Sequence, residues 1–196
     1  MTHRDYPRTP RLDLIETIHG RDVADPYRWL EDAASADTVD WSKAQNELFE
    51  SERATWTTRN HWSERVAQLL GGGMVSVPSW RGDRQFFMRR MPGEEMASLF
   101  TVDPDGTERL LLNPLEIDPH GTTTLDSWQP SKEGNVLAYQ LSVGGSEEAS
   151  LYVMDVATGK NIEGPIDRAR YSPVAWLLGE KQFYYVRRLS PELVPA

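Results

Sequence analysis

The sequence predicts a mainly β protein: a partial β-propeller of about two and a half blades, preceded by a helical segment. Three observations carry that reading. First, short apolar strands separated by turn residues fill the chain from Met74 onward. Second, Ser98-Leu99-Phe100-Thr101-Val102-Asp103 recurs 52 residues later as Ser150-Leu151-Tyr152-Val153-Met154-Asp155. Third, Trp80, Trp128 and Trp176 stand 48 residues apart, each followed by a Gly-containing turn and an apolar strand. A four-stranded unit repeating every 40–50 residues or so is the mark of a propeller blade.

The region before Met74 reads differently. Residues 35–70 contain neither Gly nor Pro, and Ser35 or Asp37 is a suitable N-cap. Trp41, Ala44 and Leu48 fall on one helical face, and Trp62, Val66, Leu69 and Leu70 on another. Thr55, Thr57 and Thr58 weaken helix propensity between them, which predicts two helices, each with its stripe packed in a core. Strand signals in this region are few. Four of the seven Trp lie here (Trp29, Trp41, Trp56, Trp62), more indole than two helices can bury, so part of this surface is expected to dock on another domain. Gly71-Gly72-Gly73 has no Lys-Ser/Thr pair after it and reads as a flexible joint, not a phosphate cradle. The domain division is therefore residues 1–70, helical, and 74–196, propeller.

Within the propeller region the first unit comprises strands over 75–80, 85–91, 97–102 and 108–112, with turns at Arg81-Gly82-Asp83, Pro92-Gly93-Glu94 and Asp103-Pro104-Asp105-Gly106. The second comprises 124–128, 136–141, 150–154 and a short strand after Ala157-Thr158-Gly159. Phe183-Tyr184-Tyr185 belongs to a third. Propellers close with about four to eight blades. Two and a half leave open edges, so the chain reads as a fragment of a larger architecture.

Charge and composition narrow the function classes. Lys plus Arg number 21 against 30 Asp plus Glu, a net charge of −9, with −4 in residues 1–70 and −5 in residues 71–196. Neither part has the basic footprint of a nucleic-acid binder, and both are repelled by anionic membrane surfaces. With no cysteine there is no disulfide, thiolate metal site or Cys nucleophile. The polar start Met-Thr-His-Arg-Asp-Tyr-Pro is not followed by a signal-type apolar run, and cytoplasmic residence is the default expectation.

Tyr6-Pro7, Arg11, His19-Gly20, Asp25-Pro26-Tyr27-Arg28-Trp29-Leu30-Glu31-Asp32 and Ala44-Gln45-Asn46 occur in this order ahead of the strands. Arg109-Leu110-Leu111-Leu112-Asn113-Pro114, His120-Gly121-Thr122, Leu137-Ala138-Tyr139 and Phe183-Tyr184-Tyr185 follow. Over its whole length the chain resembles the N-terminal part of the prolyl oligopeptidase family of serine peptidases. Oligopeptidase B relatives share the layout but differ at the Asp25–Asp32 run, which favours the prolyl branch. The resemblance implies an enzyme that cleaves short peptides after proline. Its α/β-hydrolase domain, against which residues 1–70 would pack, is capped by a seven-bladed propeller that limits access. On that reading the missing hydrolase domain and short peptides are the partners. A stand-alone β-sheet interaction module is the alternative.

A serine peptidase needs a Gly-x-Ser-x-Gly elbow with Asp and His following. Among the serines, Ser142 and Ser146 are the ones to weigh, and Gly144-Gly145-Ser146-Glu147-Glu148 comes nearest. It lacks the trailing Gly and lies between two strands, so it reads as a hairpin turn. His3, His19, His61 and His120 form no His-Glu-x-x-His pattern; His19 and His120 each precede a Gly and read as turn residues. Glu31-Asp32 reads as acid near a helix start. No catalytic, cofactor-binding or metal-binding residue is assigned, and the chain alone is expected to be inactive.

Overall fold

The computed structural model describes residues 5–146 and 148–193. The chain forms two compact units that divide at Val66/Ala67.

The first unit opens with a hairpin, β1 (Ile15–Ile18) and β2 (Arg21–Ala24), where helical content alone was expected. Its turn is His19-Gly20, both with positive φ (51° and 75°), the two-residue geometry that suits a right-twisted hairpin. The β-branched Ile15, Thr17 and Ile18 beside a His-Gly pair are the strand signal in the sequence; the polar residues of Arg21-Asp22-Val23-Ala24 obscure it. A short 3-10 turn, Arg28–Glu31, leads to α1 (Ala36–Arg53). Ser35 is the N-cap, its hydroxyl accepting from the Thr38 N–H, and Thr38 donates in turn to the Trp29 carbonyl. Trp41, Ala44 and Leu48 are all half-buried.

Helix α2 (Arg59–Leu70) follows a break at Ala54–Thr58. It buries none of its residues: Trp62, Val66, Leu69 and Leu70 are 50–63% exposed. The second stripe is therefore not core packing within this chain. An apolar face of that kind, left in water, is characteristic of a contact surface. The end of α2 and the Gly71–Gly73 segment are tied to the β-rich unit, with Arg90 donating to the carbonyls of Leu70 (2.7 Å) and Gly72 (3.1 Å).

The first sheet of the second unit comprises β3 (Met74–Val75), β4 (Ser79–Arg81), β5 (Arg84–Arg90), β6 (Ser98–Val102) and β7 (Glu108–Leu112), antiparallel throughout. β3 and β4 lie on the same edge of β5 and replace the single strand expected over 75–80. The interruption is chemical: Pro78 has no N–H for the ladder, and the Ser76 hydroxyl accepts from the Met88 N–H. A one-turn helix, α3 (Pro114–Ile117), capped by Asn113, carries the chain to the second sheet. That sheet is β8 (Thr123–Pro130), β9 (Val136–Val143), β10 (Ser150–Asp155) and β11 (Lys160–Ile166), in meander order. β12 (Ala175–Trp176) and β13 (Phe183–Tyr184) form a third, two-stranded sheet. Trp128 and Trp176 sit in the first strand of their sheets and Trp80 in β4, and the two matching hexapeptides are β6 with the following Asp103, and β10, which ends on Asp155.

The core lies between sheets. β9 has six consecutive buried residues, Leu137–Ser142, and the two faces divide by strand periodicity. Leu137, Tyr139 and Leu141 join Met154 and Val156 against Phe86, Leu99, Leu111 and Leu112 of the first sheet. On the other face Ala138 packs with Leu151 and Ala169, flanked by Trp176 and Phe183 of the third. Gln140, also on that face, donates to the Ser172 carbonyl at 2.6 Å.

The turns at one end of the sheets are clasped by polar groups. Asp103 accepts from Arg84 Nε (2.9 Å) and Arg109 Nε (2.5 Å). Both arginines also reach the second sheet, Arg84 to Asn135 Oδ1 (2.8 Å) and Arg109 to the Val156 carbonyl (3.0 Å). Asn135 then donates to Glu180, beyond the first strand of the third sheet, as does Ser131. Burial pushes the Glu180 carboxyl up, but the hydrogen bonds from Ser131 and Asn135 outweigh it and hold the group below its ordinary value. The Arg109 hydrogen bond, reinforced by Arg84, draws Asp103 down from 3.8 to about 2. The chain Glu180–Asn135–Arg84–Asp103–Arg109 thus links three successive sheets. Beneath it the turns meet backbone to backbone. A Cβ on Gly82 would lie 2.5 Å from the Glu133 carbonyl oxygen, and one on Gly134 2.6 Å from that of Arg81; both have positive φ.

Replacing Gly134 by Ala should lower stability by roughly 1–3 kcal/mol, from the left-handed φ and the lost inter-sheet approach, read as a fall in thermal midpoint. A midpoint within a degree of the parent would contradict this packing. Because the folded-state pKa of Asp103 is depressed, its contribution is complete above the unfolded value near 3.8 and is lost as pH falls toward about 2. Asp103→Asn should therefore destabilise at neutral pH by roughly 1–3 kcal/mol and flatten the loss of stability across that acid window, measured by denaturant melts at several pH values.

Candidate functional site

The Asp25–Asp32 run, the most distinctive stretch of the sequence, folds as a junction around one cation. Arg28 Nε donates to Asp25 Oδ2 at 2.6 Å, its two terminal nitrogens fork onto the Glu16 carboxylate of β1, and Glu31 lies 3.4 Å from Nε. The hydrogen bonds that Arg28 donates to Glu16 and then to Asp25 hold the guanidinium further above its already high pKa. Backbone bonds from Leu12 N to the Pro26 carbonyl (3.0 Å) and from Asp25 N to the Leu14 carbonyl (2.9 Å) close the loop onto the hairpin. Trp29 donates its indole N–H to the Pro10 carbonyl, Trp41 donates to Thr9 Oγ1, and the two rings meet edge to face at 6.2 Å. Asp32 Oδ1 accepts from the Ala34 N–H ahead of α1. The adjacent carboxylates Glu31 and Asp32 thus have separate structural partners and are not assembled as an acid–base pair. The hub role of Arg28 was not evident in the sequence, since its partner Glu16 lies on an unrecognised strand.

The serine candidates fall in the β9–β10 hairpin. Gly144 and Gly145 have φ of 64° and 69°, and Gly144 N donates to the Thr122 carbonyl. The Ser146 hydroxyl donates to the Val143 carbonyl at 2.8 Å and accepts from the Glu148 N–H. That is a turn-closing serine between two antiparallel strands. A nucleophile elbow instead joins a strand to a helix with its hydroxyl presented to a base. Glu147 lies outside the described residues. Ser142 is buried in β9 and shares a 3.1 Å hydrogen bond with Thr124.

The histidines are dispersed. His19 occupies the β1–β2 turn; His61 is on α2 with its ring edge-on to Trp62 at 5.2 Å; His3 lies outside the described residues. His120 sits in a loop organised by Asp118, whose carboxylate accepts from the Thr122 hydroxyl (2.6 Å), the His120 N–H (3.0 Å) and the N–H groups of Thr122 and Thr123. Those bonds, Thr122's hydroxyl foremost, bring the Asp118 carboxyl to about 2. Asp118 is thus locked as an ionised acceptor at neutral pH and is unsuited to proton transfer there. Among the described residues no group of three or more His, Asp or Glu could hold a metal ion. No helix among them is long and apolar enough to cross a membrane.

The β-rich unit thus consists of stacked antiparallel sheets joined by a polar clasp, and a hairpin and a helix with an exposed apolar face precede it in the chain. Residues 7–196 match the family described as prolyl oligopeptidase, N-terminal beta-propeller domain. A prolyl endopeptidase of Elizabethkingia miricola is 28% identical over 180 residues, covering 92% of this chain and 25% of the relative. One from Dictyostelium discoideum is 26% identical, covering 81% of this chain and 24% of its own length. A solved prolyl endopeptidase superposes with a TM-score of 0.81 at 33% identity, over 92% of this chain and 27% of that one. Prolyl oligopeptidase B of Galerina marginata shares the fold, with a TM-score of 0.78 at 21% identity, over 93% of this chain and 29% of that one. The chain spans about a quarter of the length of the curated relatives it matches. With its match extending from the Asp25–Asp32 junction through all three sheets, the chain belongs to the prolyl oligopeptidase family, within its N-terminal β-propeller region.

Proposed function

We propose that the chain is the propeller-bearing N-terminal portion of a serine endopeptidase that cleaves short peptides after proline. In the intact enzyme the completed ring of blades limits which peptides reach the catalytic serine. The observation that carries this reading is the family match over residues 7–196, together with successive antiparallel sheets of five and four strands. The partner is an α/β-hydrolase domain of the same enzyme. Residues 1–70 form the segment that packs against it, and residues 74–196 contribute to the ring. The exposed face of α2, with Trp62, Val66, Leu69 and Leu70, has the apolar character such packing needs. Cytoplasmic residence accompanies the proposal, in keeping with a chain that has no cysteine.

The test is hydrolysis of a fluorogenic Gly-Pro peptide. The purified 196-residue chain should show no turnover sensitive to a serine-directed inhibitor. The chain extended by an open reading frame containing a Gly-x-Ser-x-Gly elbow should show it. Inhibitor-sensitive cleavage by the 196-residue chain, or an extended protein that cleaves without regard to proline, would overturn the assignment.

A further inference from the structure

An open cleft of about 400 Å³ lies between the N-terminal arm and α1. Its walls are the indoles of Trp29 and Trp41, set nearly at right angles (88°), and Pro7, Pro10, Leu12 and Ala44 complete the apolar lining. Both indole N–H groups are already bonded within the protein, to Pro10 and Thr9, so neither is a donor left for a visitor. Asp37 and Asp40, three residues apart on α1 and thus on one helical face, also line the cleft. Among the described residues neither carboxylate is in an ion pair.

We propose that this cleft binds an arginine side chain presented by a peptide. Two perpendicular indoles and two carboxylates suit a flat cation: the guanidinium can stack on one ring while its edge forks onto a carboxylate. A compact, strongly hydrated ammonium gains less from the flat wall. A neutral apolar group would fill the aromatic part but leave both carboxylates without a counterion. Asp40 carries more of the charge recognition than Asp37, because Asp37 lies in the first helical turn, where the positive end of the helix opposes an incoming cation. Arg8 lies on the same rim without an ion pair of its own among the described residues. It acts as the chain's resident competitor, raising the local positive potential.

The experiment follows the indole N–H cross-peaks of Trp29 and Trp41, assigned by sequential NOEs in the nitrogen-15 NMR spectrum of the 196-residue chain. N-acetyl-arginine amide is the titrant, and the neutral isostere N-acetyl-citrulline amide is the control. The arginine compound should shift both peaks saturably with a Kd on the order of 1–10 mM, as exposed cation–π and ion-pair contacts allow. Citrulline should leave them in place. Asp40→Asn should weaken binding about two- to fivefold, more than Asp37→Asn does, and Arg8→Ala should strengthen it by a similar factor. Both positions are exposed, and unchanged far-ultraviolet circular dichroism would show that the fold is retained. The proposal is overturned if the indoles do not respond, if citrulline matches arginine, or if affinity ignores Asp40. An unchanged or weaker affinity in Arg8→Ala would overturn the competition.

Discussion

The burial of β9 on both faces is the constraint on which the rest of the β-rich unit depends. A strand covered on one side only would alternate apolar and polar residues. β9 instead buries Leu137 to Ser142 without a break. Its large side chains, Leu137, Tyr139 and Leu141, project toward the first sheet, and the small Ala138 lets the third approach closely. Gln140 and Ser142, on the face with Ala138, are tolerated because each has a hydrogen-bond partner there. Stacking follows: the second sheet has a neighbour on either side, and the turns at one end come close enough for Gly82 and Gly134 to meet the backbone of Glu133 and Arg81.

The polar clasp works with that packing rather than replacing it. Apolar contact between sheets is non-directional and permits sliding, whereas Arg84, Asp103 and Arg109 are directional and fix register between one sheet and the next. Glu180 repeats the device at the following junction with an uncharged partner, Asn135, in place of a second arginine.

Much of this was legible from residues alone. The strands of both complete sheets emerged from turn chemistry and a repeat of about 50 residues, because Gly106, Gly134 and Gly159 punctuate runs of apolar residues. The helix pair was marked by Ser35 and by the β-branched Thr55–Thr58 break. Three things were obscured. The β1–β2 hairpin mixes apolar and polar residues on both faces, so periodicity is silent there. Pro78 splits a strand whose composition is continuous. The α2 stripe has the spacing of a core face, and spacing does not distinguish a face buried within its own chain from one that awaits another surface. The charged clasp was invisible for a related reason: Arg84, Asp103 and Arg109 look like ordinary turn charges until the sheets are stacked.

Hydrogen exchange followed by mass spectrometry on the 196-residue chain tests the two-faced strand most directly. Amides of β9 should be the slowest in the molecule, and Leu137→Val should accelerate exchange in β6, across the sheet interface, as well as in β10 beside it. Exchange in β6 that is indifferent to Leu137, with β9 no better protected than the outer strand β11, would contradict the stacked-sheet account.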